Sequence, residues 1–131
     1  MSTPSLLLSD YRLMLFDVDN TLIDKKTKIL PAKLPELLKQ LANRGIKLGV
    51  CTGKSATFLR QDIFPIFPPD SLHITCGGAQ IVDSQSQIKW QKCIDLNTLK
   101  SLINIFNKSK TDFAIADQNS YYGTTGFVDY S

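Results

Sequence analysis

Two carboxylates and a threonine, Asp17, Asp19 and Thr21, stand at alternate positions directly after the apolar run Leu13-Met14-Leu15-Phe16. A buried strand that ends in Asp-x-Asp delivers both acids to the carboxyl end of a parallel sheet, where open α/β sheets bind ligands. One such carboxylate is able to attack a phosphoryl group and the second to move the proton. A divalent cation offsets the crowded negative charge. The same residues also fit a plainer role, a strand followed by an Asp/Asn-rich turn whose short polar side chains hydrogen-bond locally.

A second group decides between these readings. Thr52-Gly53-Lys54-Ser55 follows the apolar run Ile46-Lys47-Leu48-Gly49-Val50-Cys51. A threonine hydroxyl and a nearby backbone N–H suit a phosphoryl oxygen, and the N-terminus of a following helix favours negative charge. Gly53 lets the backbone approach a ligand closely. Thr-Gly alone is ordinary turn sequence, but one βα unit after Asp-x-Asp-x-Thr it is informative. Lys54 suits either a phosphate contact or an exposed first helical turn, and it is a point charge rather than a planar fork.

The elements that must position these residues follow from periodicity. Tyr11 to Asp17 reads as the first strand, and Val18 to Leu30 as a polar loop or small hairpin. Leu34, Leu37, Leu38 and Leu41 recur at helical spacing, with Pro35 suited to the first turn and Gly45 to the C-terminal cap. Strand, helix and the strand Ile46–Cys51 make a βαβ unit, so the two strands are expected to be parallel. A second helix is expected from Ser55 to Ile63, ended by Pro65, Pro68 and Pro69. Leu72 to Cys76 reads as a third strand ending at Gly77-Gly78. The pattern then changes to a hairpin, Gln80–Asp83 and Gln87–Cys93 around Ser84-Gln85-Ser86. A helix capped by Asp95 follows, carrying Leu96, Leu99, Leu102, Ile103 and Phe106, and then a strand from Asp112 to Ala116. The domain boundary is expected near Gly77-Gly78.

The bulk properties exclude several classes. The chain has 131 residues, a net charge of +3 and 43% apolar residues, as befits a globular protein of one domain or little more. Its basic residues are dispersed apart from Lys25-Lys26-Lys28, a solvated loop or an attraction for an anionic substrate. No basic stripe with interleaved aromatics marks a nucleic-acid partner. No run approaches a membrane span, and Leu6-Leu7-Leu8 is too short for a signal-peptide core. Cys51, Cys76 and Cys93 lack metal-ligand spacing and fit reduced, mostly buried thiols in a cytoplasm.

The order Asp17-x-Asp19-x-Thr21, then Thr52-Gly53-Lys54, then Cys76-Gly77-Gly78-Ala79 resembles the haloacid dehalogenase (HAD) superfamily, in particular its Cof-like phosphatases. Those proteins carry Asp-x-Asp-x-Thr, often Thr-Gly-Arg, and Asn-Gly-Ala before an inserted α/β cap. The resemblance covers nearly the whole chain. It implies an α/β fold: a Rossmann-like parallel HAD core at residues 1–78, present as its first three strands, and the start of an α+β C2-type cap at 79–131. It also implies Mg²⁺-dependent hydrolysis of small phosphorylated metabolites such as sugar phosphates. Asp17 would be the nucleophile and a metal ligand. Asp19 would be the general acid/base and bind Mg²⁺ through its backbone carbonyl. Thr52, Gly53 and Lys54 would hold the phosphoryl group.

The departures are equally specific. HAD phosphatases need a further Lys or Arg and a further acid, typically in Gly-Asp-x-x-x-Asp, and no Gly-Asp pair occurs here. The family's fourth and fifth core strands are also missing, which would leave the strand bearing Asp17 at an exposed edge, open to self-association. The chain therefore reads as the first half of such an enzyme. Sugar phosphomutase-like phosphoryl transfer and a catalytically inactive binding module are the competing functions.

Overall fold

The computed structural model describes residues 12–24, 26–117 and 120–124. Tyr11, Lys25 and Leu6-Leu7-Leu8, named above, lie outside the described residues. The chain forms two compact units, residues 1–90 and 91–131.

In the first unit β1 (Leu13–Phe16) pairs in parallel with β2 (Lys47–Val50), in the register Leu13 to Lys47 and Phe16 to Val50. The helix α1 (Leu34–Asn43) connects them, which makes the expected βαβ unit. Pro35 sits in its first turn, and Gly45, at φ 81°, takes the left-handed position just past its end. Leu38 is buried, with Leu34 and Leu41 packed against the core beside it. Leu37, expected on the same stripe, is 53% exposed. The packed stripe is therefore i, i+4, i+7, and Leu37 lies on its flank.

The second helix is shorter than the sequence predicts. Regular helix covers only α2 (Ala56–Leu59), and single bonds such as Ile63 N–H to Leu59 O carry the turn onward. A 3₁₀ turn over Phe64–Ile66 then takes over at Pro65. The ring of Pro65 has no N–H to continue the ladder, while Phe64 is fully buried and anchors the turn.

Next comes β3 (Leu72–Thr75), joined to β2 by a single parallel bridge between Cys51 and Ile74. It turns at Cys76–Gly78, where Gly77 and Gly78 both have positive φ, and pairs antiparallel with β4 (Gln80–Asp83). β4 in turn neighbours β5 (Ile88–Gln91). The hairpin is thus built onto β3. The two compact units divide between Trp90 and Gln91, later in the chain than the core–cap division expected at 78/79.

The core of this unit comprises Val18, Leu22, Leu38, Ile46, Leu48, Val50, Ala56, Leu59, Ile63, Phe64, Phe67 and Val82. Each large side chain buried here contributes roughly 2 kcal/mol. Val18 and Leu22 belong to the loop after β1, so burial of that loop's apolar residues fixes its polar ones.

In the second unit α3 (Leu96–Ser109) is capped by Asp95, whose carboxylate accepts the N–H groups of Asn97 and Thr98 at 3.0 Å. The Thr98 hydroxyl and then the backbone donors hold that carboxyl below its ordinary pKa. Phe106 stacks on Phe113 with ring centres 5.3 Å apart. β6 (Ala114–Ala116) pairs antiparallel with β7 (Tyr121–Gly123). Leu99, Leu102, Ile103 and Phe106 are partly covered, whereas Leu96, expected on the same stripe, is 63% exposed. It sits in the first turn, beside the cap. No helix among the described residues is long and apolar enough to cross a membrane.

Candidate active site

β1 ends at Phe16, and Asp17 emerges at its carboxyl end with an exposed side chain. Val18 then turns completely inward. Its carbonyl accepts the N–H groups of Leu22 and Ile23, and Asn20 N–H donates to Ile23 O at 2.7 Å. In this tight turn Asn20 takes a left-handed φ of 59°, and Asp19 forms an isolated bridge with Ile23.

The local-turn reading fits Asp24 rather than Asp17 or Asp19. The Asp24 carboxylate accepts Thr27 N–H and Lys26 N–H at 2.9 and 2.8 Å, and these bonds, that from Thr27 foremost, hold it below its ordinary pKa. Asp19 instead reaches across the sheet to Lys54, 3.0 Å from its Oδ1, with both side chains about a quarter exposed.

The neighbouring strand supplies the other half. Cys51 N–H donates to Phe16 O at 2.8 Å, which locks the end of β2 beside the start of the Asp17 loop. Thr52 is buried, and its N–H donates to Ile74 O at 3.0 Å. Its hydroxyl oxygen accepts Lys54 N–H at 3.2 Å and donates to nothing among the described residues. That leaves a buried hydroxyl proton for an anionic oxygen. Gly53 carries no hydrogen bond on its N–H among the described residues, and a Cβ built there would meet nothing within 4 Å. Open space above a free N–H is room for a ligand. Its φ does not require glycine.

The turn after β3 braces this loop. Cys76 N–H donates to Lys54 O at 2.9 Å, and Gly77 N–H to Thr52 O at 3.1 Å. Burial raises the Cys76 thiol pKa, which keeps it protonated near neutrality. Contrary to the expectation of mostly buried thiols, Cys51 and Cys93 are exposed and Cys76 is half-buried, and all three are free. Alternation puts Cys51 on the open side at the strand end, opposite buried Val50 and Thr52.

Of the five residues singled out by sequence, the structure joins Asp19 to Lys54 by an ion pair and Lys54 to Thr52 by a hydrogen bond. Gly53 lies between them in the chain. Asp17 stands at the adjacent strand end without a hydrogen bond or ion pair among the described residues. The helix expected to favour negative charge is a single turn and contributes little dipole. Sequence reasoning missed the Lys54–Asp19 pair and the bracing by Cys76 and Gly77. Nothing in local spacing signals either, since both are set by strand order.

The oxygen donors suit a hard cation. The Asp17 carboxylate is exposed, and the Asp19 carbonyl oxygen accepts no hydrogen bond among the described residues. Mg²⁺ is typically held by one or two carboxylates with water and substrate phosphate in its remaining positions. No group of three or more His, Cys, Asp or Glu gathers among the described residues.

The haloacid dehalogenase-like hydrolase family matches residues 14–130, and the chain belongs to it. Its fold is that of solved members. A phosphatase of the haloalkanoate superfamily from Bacteroides thetaiotaomicron aligns with a TM-score of 0.75 at 20% identity, covering 97% of this chain and 51% of that one. A subclass IIB sugar phosphatase aligns at 0.70 and 17% identity, over 90% of this chain and 46% of the other. A haloacid dehalogenase-like hydrolase from B. subtilis aligns at 0.68 and 22%, over 80% and 36%. The chain thus spans about half the length of these structures or less. No curated protein matches it. The expected α/β class and the resemblance to this superfamily are borne out.

Proposed function

We propose that this chain carries the nucleophile half of a Mg²⁺-dependent phosphomonoester hydrolase that works through an aspartyl-phosphate. The supporting observation is the placement of Asp17 and Asp19 at one strand end beside Thr52 and Lys54 at the next. An Asp17 oxygen attacks phosphorus, the bond to the leaving oxygen breaks, and Asp19, which takes up a proton from solvent once substrate is bound, gives it to that oxygen. Asp19, now a carboxylate, then takes a proton from water as the water oxygen attacks phosphorus. The bond to Asp17 breaks, phosphate leaves, and Asp19 returns its proton to solvent, so that both acids are again carboxylates. Thr52 Oγ1–H, Gly53 N–H and Lys54 Nζ bind the phosphoryl oxygens, whose charge grows during transfer. The Asp17 carboxylate and the Asp19 carbonyl would hold Mg²⁺, which would neutralise part of that charge.

The substrate in this reading is a small phosphorylated metabolite, with sugar phosphates first because one similar structure is a sugar phosphatase. The second compact unit begins a C2-type cap that selects it. The remaining basic and acidic groups come from the rest of the catalytic unit, as the similar structures are about twice this length. Three free cysteines support a reducing, cytoplasmic setting.

The test is phosphate release from p-nitrophenyl phosphate by the complete catalytic unit, with and without Mg²⁺. Asp17→Asn should lower turnover by about a thousandfold or more. Unchanged turnover in that variant would refute the assignment.

A further inference from the structure

The ion pair between Lys54 and Asp19 sits inside the proposed site, and its two ends are tethered differently. The backbone of Lys54 is fixed on both sides, its N–H on Thr52 Oγ1 at 3.2 Å and its carbonyl under Cys76 N–H at 2.9 Å. Its four-carbon stem is free to swing while its base stays in place. The two other ion pairs among the described residues, Lys47–Asp70 and Lys89–Asp83, join neither of these strand ends.

We propose that Lys54 is an exchangeable counter-ion. In the unliganded protein its ammonium holds the Asp19 carboxylate. When a phosphate dianion settles against Thr52 and Gly53, the ammonium transfers to a phosphoryl oxygen and releases Asp19 towards the reacting oxygens. This rests on the phosphatase reading above and adds to it a change of partner. Lys54 is then a positioning residue for Asp19 as well as a phosphate contact.

The ammonium lies 3.0 Å from Asp19 Oδ1, an atom that must later be unencumbered. The pair is weak enough to exchange, because a partly exposed Lys–Asp contact is worth about 1 kcal/mol or less. A phosphate dianion offers more charge and more acceptor oxygens than one carboxylate. Thr52 and Lys54 are also coupled through the N–H···Oγ1 bond, so an anion on the threonine hydroxyl is delivered next to the lysine. A guanidinium gripping both carboxylate oxygens would exchange less readily than an ammonium.

The experiment is calorimetric titration of the full chain with inorganic phosphate at fixed Mg²⁺, for wild type, K54M, D19N and the double variant. Melting temperatures of the four proteins check that each is folded. K54M should bind phosphate about tenfold more weakly. D19N should strengthen binding, and by a larger factor when Lys54 is present than in the K54M background, because only then does it also release the lysine. Equal factors in the two backgrounds, or unchanged affinity in K54M, would overturn the exchange and leave the phosphate site standing. Absence of phosphate binding in every protein, wild type included, would overturn both the site and the exchange.

Discussion

The ring of His73 accepts the backbone N–H of Val50 on its Nδ1 at 3.3 Å, so a side chain of β3 takes a place beside β2 that strand backbone usually fills. Its Nε2 lies 3.0 Å from Ser84 Oγ, whose own proton goes to Pro68 O at 3.1 Å. The serine must therefore accept, and Nε2 carries the ring's one proton. Phe64 stacks on the ring at 4.2 Å and Phe67 meets it edge-on at 5.2 Å. The neutral ring is fully satisfied, and a second proton would have to displace Val50 N–H.

A pH dependence follows. Burial pushes the His73 pKa down to about 4 from 6.5, with nearby Asp83 opposing in part. Between those values the unfolded chain binds the proton and the folded chain does not. Stability from this residue is thus complete above about 6.5, falls as pH drops through that window, and levels off below about 4. The full loss is on the order of 3 kcal/mol. His73→Asn keeps an acceptor for Val50 and removes the titration. Urea unfolding at pH 7 and pH 4.5 should show a drop in wild type that is much smaller in that variant. Equal drops would place the pH sensitivity elsewhere.

Gly49 sets how closely β2 and β3 approach. A Cβ there would lie 1.9 Å from the Leu72 carbonyl oxygen, which is backbone and has nowhere to swing. Gly49→Ala should therefore push the strands apart and destabilise by about 2–3 kcal/mol. It should also displace the loop at Thr52, which hangs on Ile74 through its N–H. Chemical denaturation checks the first effect. Phosphate affinity of the folded variant, expected to fall, checks the second.

Thr52 can be separated from its loop's architecture by Thr52→Val, which keeps volume and β-branching. The variant loses the acceptor for Lys54 N–H and the proton proposed for a phosphoryl oxygen. We expect stability to fall by about 1 kcal/mol and phosphate affinity to fall about tenfold or more. Thr52→Ser should recover affinity. A serine variant as weak as the valine variant would point to the methyl group, and so to packing.

The parallel pair β1–β2 and the helix between them were legible because hydrophobic period and cap residues agree over Leu13–Phe16, Leu34–Asn43 and Lys47–Val50. Asp17, Asp19 and Thr52 could be placed at strand ends for the same reason, since strand ends follow from where apolar runs stop. What Lys54 contacts was not legible: its partner lies 35 residues away and depends on which strands are neighbours. The length of α2 was misjudged because apolar periodicity continues to Ile63, while the backbone is already adjusting to Pro65 and to the burial of Phe64. The hairpin at Gln80–Gln91 was seen as a local pair. Its attachment to β3 turns on three consecutive residues with positive φ, Cys76, Gly77 and Gly78, the first of which gives no sequence warning.

The outer edge of β1 yields the last prediction. β1 pairs with β2 along one side and has no strand on the other among the described residues. Met14 and Phe16 pack against the core, so alternation turns Leu13 and Leu15 to the opposite face, where they are 55% and 40% exposed. An unpaired edge with exposed leucines invites another strand. The 131-residue chain should therefore associate with itself as its concentration rises, and Leu13→Lys should suppress this, because a charge on an edge strand opposes pairing. Leu13 is exposed, so the substitution should change folded stability by no more than about 0.5 kcal/mol. Sedimentation velocity across a concentration series reads the association directly. If L13K associates as strongly as wild type while keeping its melting temperature, the contact lies on another surface, and the β1 edge is already protected.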